Sequence, residues 1–550
     1  MDPTTIAALL REIAIYFELE GDRRRAMAYD RAAGSVEAAK GLHRLIDEGR
    51  LEELPAIGPS TARVITDLAR TASSPVLDGH RGKWPGVIVE LARLPYVGPA
   101  KARKLHDALA PNDLEAVAAA CRAHAVREVA GFGEISERKI LAAIEERQLH
   151  GTRALHVDAE EQTRAIAAFL RADPAVQRVE IAGGVRRWLE IVTELAFAVQ
   201  SDHPDAVLAR LRELPLLAHS ELAGDRIAGR LADGMLVEVV VAPAARFGWA
   251  FIRATGSPEH VELLRARAAG RSIDGPDEAD VYRALELPFV PPEVRDGSDE
   301  LGRDFSDLVE LADVATACHC HTTYSDGKDS ILAMAEAARE LGMRAITITD
   351  HSAAASYAGG LDAERLRAQA AEISQLDAPI RILRGTEADI LADGSIDVPP
   401  ELVGDLDLVI ASVHQRFKLD EDGSTRRIVA MVRQPFFKIW GHPFGRLVMR
   451  RDPIPLRFGD VLDAAAESRV AFEINGDPYR LDMAPELARL AAARGIPFVV
   501  SSDAHSTRGL TAVRWAVALA RRARLRRSQV LNALSPDELA ERIAPRPTAG

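Results

Sequence analysis

The sequence predicts a multidomain α/β protein: an all-helical front, a mixed α+β middle and a C-terminal barrel of seven β/α units. Three observations carry this reading. A glycine-centred helical pattern recurs within the first 150 residues. Between about 158 and 290 the pattern changes to alternating helix and strand. From 314 onward seven short apolar runs alternate with Ala/Leu/Arg-rich helices, the pattern of a parallel sheet, and seven such units suggest a closed or nearly closed barrel. At 550 residues the chain exceeds one ordinary core, and length alone suggests roughly three to five domains.

The composition, 47% hydrophobic and 27% charged, is that of a globular protein rather than a disordered or membrane one. The opening MDPTTIAALLREI lacks the basic-then-apolar order of a secretory signal, and no run of about 18 uncharged apolar residues occurs. No membrane association is expected, and the chain is read as cytoplasmic. Three cysteines, Cys121, Cys318 and Cys320, are too few and odd in number for a disulfide framework. The net charge of -13 opposes nucleic acid as a partner, because Lys and Arg supply most non-specific affinity for phosphate. Its distribution weakens that objection. Residues 1–150 carry 21 Lys+Arg against 22 Asp+Glu, and the remainder, 48 against 60, holds nearly all the deficit. A site that gathers divalent cations offsets part of it.

In the front, Ile6, Leu9, Leu10, Ile13 and Phe17 fall at helical spacing. LPAIGPSTARVI (54–65) recurs as LPYVGPAKARKL (94–105) and, more loosely, as VAGFGEISERKI (129–140). Each copy sets an apolar residue, a turn centred on Gly58, Gly98 or Gly133, and a helix with Ala, Arg or Lys in its first turns. Glycine permits the tight turn and leaves backbone N–H groups exposed at a helix N-terminus, a phosphate site. This is the helix-hairpin-helix pattern, which grips the nucleic-acid backbone without reading bases. Lys101 and Arg103 are the candidate side-chain contacts. An ordinary glycine-linked hairpin explains one copy; two close copies and a third favour DNA binding.

In the middle, VQRVEIAGGVRR reads as strand, glycine-rich turn and basic helix start, while TELAFAVQ and GMLVEVVVAP read as strands. A polar, Pro-rich passage at 288–307 reads as a linker.

The seven terminal runs open with ACHCHTTYSDG and continue as RAITITD, IRILRGTE, LDLVIASVH, FKIWGH, VAFEING and PFVVSSDAH. Nearly all end in metal-competent residues: His319 and His321, Asp350 and His351, Glu387, His414, His442, and Asp503 with His505. In a β/α barrel the C-terminal strand ends open on one face. One histidine there is ordinarily a satisfied rim residue. Six ends converging with His, Asp or Glu argue for cations, since so many buried imidazoles and carboxylates are costly without them. Strand alternation places His319 and His321 on one face and Cys318 and Cys320 on the other, which excludes a Cys/His zinc knuckle and sends the cysteines outward against helices. Asp350 and Asn475 are candidate supports, although a strand-end carboxylate capping the next helix explains Asp350 equally well.

This distribution resembles the PHP (polymerase and histidinol phosphatase) domain, a metal-dependent phosphoesterase on a distorted seven-stranded barrel. Its nine-ligand pattern finds a match at every position: His319 and His321 in the opening His-x-His, Asp326 five positions on, then His351, Glu387, His414, His442, and Asp503 with His505. The resemblance implies three metal positions, with Glu387 bridging two. His319, His321 and Asp503 complete the first, His414 and His442 the second, and Asp326, His351 and His505 the third. Two to three divalent ions, Mn, Zn or Fe, are implied. Glu387, His414 and Asp503 are then catalytic as ligands of ions that activate water against a phosphodiester.

The module order, together with AGGVRR, ATGSPEHVELLRARAAG and DVYRALELPFVPPEVRDG, resembles a bacterial X-family DNA polymerase carrying a C-terminal PHP domain, from residue 4 to about 515. It implies a helical DNA-binding domain over 1–80, a second over 81–152, a nucleotidyltransferase-like palm over 153–242, a thumb-like region and linker over 243–300, and the distorted (β/α)7 PHP barrel over 314–535. The palm departs from the family pattern. Where the family has Gly-Ser, this chain has Gly183 and Gly184, followed by Arg186 and Arg187. Glu194 and Ala196 stand at the Asp-x-Asp positions and Glu238 at the third carboxylate. Alanine offers no ligand, and glutamate displaces its oxygens from the two-metal geometry. Arg253 and Ala254 replace a Tyr-Phe pair, and Val64 stands where lyase-active members carry a Schiff-base lysine.

The resulting expectation is a DNA-repair phosphoesterase with a silent palm: a 3'-5' exonuclease, with abasic-site or 3'-end processing. It is expected to be a monomer in the nucleoid-associated cytoplasm, acting on gapped, nicked or 3'-recessed DNA. A working gap-filling polymerase that uses the barrel to trim is opposed by Ala196. A small-molecule phosphatase of the histidinol phosphate kind is opposed by the hairpin motifs, and a non-catalytic scaffold by nine intact ligands.

Overall fold

The computed structural model describes residues 3–39, 42–71, 73–94, 97–150, 153–214, 217–231 and 234–545. The chain divides into two compact units, one of Met1–Ala154, Asp158–Gly183 and Val192–Ala254, the other of Leu155–Val157, Gly184–Ile191 and Thr255–Gly550.

The first unit begins with helices only, from Pro3–Leu19 to Glu134–His150. Ile6, Leu9, Leu10, Ile13 and Phe17 are buried in one apolar core with Ile65, Leu68, Val117 and Ile144, so the helical spacing read from the sequence is a packing face. Gly58 precedes the helix Pro59–Thr71, Gly98 opens Gly98–Leu109 and Gly133 precedes Glu134–His150. The backbone is left-handed at Gly98 (φ 65°) and, in the third copy, at Gly131 (φ 95°), a conformation that a Cβ strains. Pro95 and Tyr96 of the second copy lie outside the described residues.

The same unit holds a five-stranded sheet. Its strands are β1 (Arg178–Ile181), β2 (Glu194–Gln200), β3 (Leu217–Ala223), β4 (Arg226–Leu231) and β5 (Leu236–Ala242), in the order β1-β2-β5-β4-β3. β2 and β5 run parallel and the other pairs antiparallel. The sequence reading anticipates β1, β2 and β5. It misses the β3–β4 hairpin, whose apolar residues are interleaved with Ser220, Glu221, Arg226 and Arg230 and of which β3 forms the sheet edge.

The second unit contains a closed, all-parallel barrel of seven strands: β6 (Thr316–Cys320), β7 (Ala345–Ile348), β8 (Arg381–Asp389), β9 (Leu408–Ser412), β10 (Lys438–Trp440), β11 (Val470–Asn475) and β12 (Phe498–Ala504). Ile346, Ile348, Trp440, Phe472, Ile474 and Val500 pack outward beneath helices. Leu383, Leu408, Ile410, Ile439, Ala471 and Val499 form a separate cluster inside. Residues 258–300 carry a buried polar network in this unit: His260 bonds Glu300 (2.7 Å) and Tyr282 (2.9 Å), and Glu278 accepts from Arg186 (2.7 Å) and Arg295 (2.5 Å).

One expectation fails in β6. Cys318 packs with Leu383, Ile410 and Val499 inside the barrel, while Cys320 packs with the outward cluster of Ile346 and Ile348. The two cysteines therefore do not share a face. His319 adopts φ 61°, and pairing with β7 and β12 shifts register across this point. This irregularity resets the alternation, so Cys318, His319 and His321 all reach the interior. All three cysteines are free and buried. Among the described residues no helix is long and apolar enough to cross a membrane.

Candidate metal centre

Short β-branched runs such as AITI and LVIAS make the barrel strands, and the polar residue that ends each run emerges at one mouth. All nine residues singled out there come together. Their ligand atoms form overlapping groups within 4.8 Å: His321, Asp326, His351 and His505; His319, Glu387 and His442; His319, His321 and Asp503; His351, Glu387 and His414. Glu387 is central. Its Oε1 lies 3.3 Å from His319 Nε2, 3.2 Å from His414 Nε2 and 2.8 Å from His442 Nε2. Its Oε2 lies 3.0 Å from His351 Nδ1 and 3.5 Å from His321 Nε2. Asp503 Oδ1 stands 3.4 Å from His321 Nε2 and 3.6 Å from His319 Nε2. At the rim, Asp326 Oδ2 lies 3.4 Å from His505 Nε2 and 3.6 Å from His351 Nε2.

Electrostatics follow from this crowding. Burial alone would lower the His351 imidazole, but the Glu387 charge and the Asp326 contact prevail and push it up to about 10. His414 rises to about 9, burial again being outweighed by Glu387 and Asp389. His442 falls to about 4 through burial and the nearby Arg480 charge. Glu387 and Asp503 stay well below the usual carboxylate range despite burial, because imidazoles surround them.

The donor set fits divalent cations. His319 Nε2, both ring nitrogens of His321, and His351 Nδ1 are buried without a hydrogen-bond partner, a costly arrangement that a cation relieves. Mixed imidazole and carboxylate donors suit zinc, manganese or iron. Three of the residues, His319, His442 and Asp503, hold left-handed backbones (φ 61°, 24° and 51°), strain of the kind concentrated at functional sites.

Further carboxylates brace the cluster. Asp350 accepts from the Thr322 N–H (2.8 Å), Thr322 Oγ1 (2.7 Å), Ser325 Oγ (2.5 Å) and Gln369 Nε2 (2.6 Å), which fixes the turn bearing Asp326. Asp389 accepts from His414 Nδ1 at 2.6 Å, and Glu473 from His319 Nδ1 at 2.5 Å. Such contacts set the tautomer that presents Nε2 to a metal. The sequence reading singles out Asp350 and Asn475 but misses Asp389 and Glu473. Both were detectable by parity, two residues along the strand from Glu387 and Asn475 respectively.

Among the described residues, the five-stranded sheet of the first unit lacks a comparable cluster. Among the described residues, every group of three or more His, Cys, Asp or Glu able to hold an ion lies in the barrel. Ala196 is buried among Ala182, Ala198, Phe247 and Phe251. Gly183 (φ 58°) packs so closely that a Cβ there would lie 2.6 Å from Ala196 Cβ and 3.0 Å from Glu194 Oε1. Glu238 is ion-paired with Arg226, and Arg253 donates to Asp225 at 2.7 and 3.1 Å. Gly184, Arg186 and Arg187 belong to the other unit, where Arg186 donates to Glu278 and the Gly184 carbonyl accepts from the Leu189 N–H.

In the hairpin region, Lys101 Nζ lies 5.8 Å from the Phe132 ring centroid. Arg103 Nη1 donates to the Leu19 carbonyl at 2.6 Å, and its guanidinium lies 5.8 Å from the Trp84 ring centroid. Arg103 thus ties the hairpin to the first helix.

Residues 317–475 match the PHP domain family, residues 1–74 a helix-hairpin-helix domain and residues 88–146 the SAM-like helix-hairpin-helix tandem. The chain is 32% identical to the DNA polymerase/3'-5' exonuclease PolX of Bacillus subtilis, over 97% of this chain and 98% of that protein. Shorter matches include a probable phosphatase of Caldanaerobacter subterraneus, 31% identical over 34% of this chain and 74% of that protein. Another, from Aliivibrio fischeri, is 30% identical over 34% of this chain and 76% of that protein.

Proposed function

The chain belongs to the PolX-type bacterial X-family DNA polymerases, which join helix-hairpin-helix domains to a PHP domain, and on that premise we propose that the barrel is its only working catalytic centre. The protein is a metal-dependent hydrolase that processes DNA. The finer assignment is a 3'-5' exonuclease of DNA repair, with abasic-site or 3'-end processing, acting as a monomer in the cytoplasm on gapped, nicked or 3'-recessed duplexes. The observation that supports it is the contrast between the two sites: nine polar residues converge in the barrel with orphaned ring nitrogens, whereas a buried alanine stands at a carboxylate position of the palm.

In this reading His319, His321, Asp503 and Glu387 hold one cation, His414, His442 and Glu387 a second, and Asp326, His351 and His505 a third. Bound cations supply Lewis acidity toward a phosphodiester and the water that attacks it. The chain's own part is to hold the donors rigidly. Asp389 keeps the proton of His414 on Nδ1, Asp350 fixes the loop that presents Asp326, and the closed barrel shields Glu387 from water. The hairpin helices bind the DNA backbone through N-terminal amides.

The competing reading, a gap-filling polymerase, must seat two cations on Glu194 and on a Glu238 already paired with Arg226. The deciding experiment incubates metal-loaded protein with 3'- and 5'-labelled gapped, recessed and abasic duplexes, with and without nucleotides. Stepwise loss from the 3' end without nucleotide incorporation is expected. Template-dependent extension that Glu194→Ala or Glu238→Ala abolishes refutes the silent palm.

A further inference from the structure

β11 is the one barrel strand whose end supplies none of the nine residues assigned to cations. Its inward positions are nonetheless polar: Glu473 and Asn475 are both fully buried. Their side chains engage the residues of the cluster that carry left-handed backbones. Glu473 Oε1 accepts from His319 Nδ1 at 2.5 Å, and Oε2 accepts from the backbone N–H of His442. Asn475 Nδ2 donates at 3.2 Å to Glu473 Oε2 and at 3.2 Å to Asp503 Oδ2. The amide is oriented by its own oxygen, which accepts from the Asp477 N–H at 2.9 Å. One carboxylate and one amide therefore touch β6, the loop after β10, and β12 at their three left-handed positions, His319, His442 and Asp503.

We propose that Glu473, with Asn475, is the positioning hub of the metal cluster, an inference that rests on the metal-centre reading above. Glu473 keeps the proton of His319 on Nδ1, so that Nε2 faces Glu387 and Asp503 as a lone-pair donor. The same carboxylate holds the His442 backbone in its left-handed conformation, and Asn475 aims Asp503. The first and second cation positions are thereby gripped through one shared group. The position formed by Asp326, His351 and His505 is bonded to neither residue and meets them through the Asp503 carbonyl, which accepts from His505 Nδ1 at 2.8 Å. A carboxylate is required because both Glu473 oxygens accept from N–H donors. A glutamine offers one acceptor, so it loses one of the two bonds or forces the proton of His319 onto Nε2, the atom needed for a metal.

The test uses full-length, metal-stripped protein titrated with Mn²⁺ and with Zn²⁺ against a competing chelator, with bound ions counted by mass spectrometry. Glu473→Gln is expected to weaken binding at two positions by about 10–100-fold while the third stays at wild-type affinity, as for other outer-shell ligand partners. Glu473→Asp, which retains both acceptors, is expected to recover part of the loss. Asn475→Ala, which spares both Glu473 bonds, is expected to shift a single position. Wild-type ion number and affinity in Glu473→Gln and Asn475→Ala overturns the proposal. So does a Glu473→Gln protein that melts early when stripped while Glu473→Asp and Asn475→Ala bind ions normally, since Glu473 is then structural. A wild-type protein that binds no ions overturns the metal-centre reading itself, a different failure.

Discussion

Ala196 lies directly opposite Glu238 on the paired strands β2 and β5, where two carboxylates would have to face each other to share cations. Glu238 is instead ion-paired with Arg226 and Ala196 is sealed in an apolar cluster. Ala196→Asp is therefore expected to restore no nucleotide incorporation in a primer-extension assay with manganese. It is also expected to cost about 1–3 kcal/mol of stability, the penalty of an unsatisfied buried polar group, read as a lower denaturation midpoint.

His414→Ala and Asp503→Ala each remove a donor from one of the candidate cation groups. Nuclease activity should fall by more than about 100-fold, beyond the effect of losing an outer-shell partner, while affinity for the same duplex stays unchanged. Equal activity in both variants places the nuclease elsewhere in the chain.

Protons and cations compete for the same imidazoles. With His351 at about 10 and His414 at about 9, both are protonated near pH 7.5 in stripped protein, so loading ions should release protons. Calorimetric titrations in buffers of different ionisation enthalpy measure that release. The sign for stability follows from linkage: both values lie above the unfolded imidazole value of about 6.5. Their contribution to stripped protein is thus fully present below about 6.5 and disappears as pH rises through 9 to 10. The melting temperature of stripped protein is expected to fall over that window.

Lys101 and Arg103 sit two residues apart and are expected to behave differently. Lys101→Ala should weaken DNA binding regardless of sequence and lower the salt slope by about 1. Arg103→Ala removes the bond to the Leu19 carbonyl and should lower the stability of the helical front. A salt slope changed equally by both variants would mean that Arg103 leaves Leu19 to contact phosphate.

Much of this was legible in the sequence. The helical face of Ile6 to Phe17, the three glycine turns and the seven barrel strands are local patterns of apolar spacing, and local patterns survive folding. The polar residues at strand ends were legible for the same reason, since parallel strands of one barrel share a mouth. What escaped was non-local. The inward turn of Cys318 depends on one left-handed residue, which strict alternation cannot anticipate. Asp389 and Glu473 share strand parity with Glu387 and Asn475, but their partners His414 and His319 come from other strands. The bond from Arg103 to the Leu19 carbonyl is likewise supplied by helix packing, outside any local pattern.

The inward Cys318 thiol also makes the barrel its own reporter. It sits one residue before His319, almost wholly shielded, and burial pushes its thiol far above the reactive range. A maleimide or disulfide reagent can reach it only when the barrel opens, so its labelling rate, read apart from those of Cys121 and Cys320, measures how often that happens. Cations that bind the closed form alone should slow the reaction in proportion to their occupancy. The barrel thus carries a chemical clock for cation binding at its mouth.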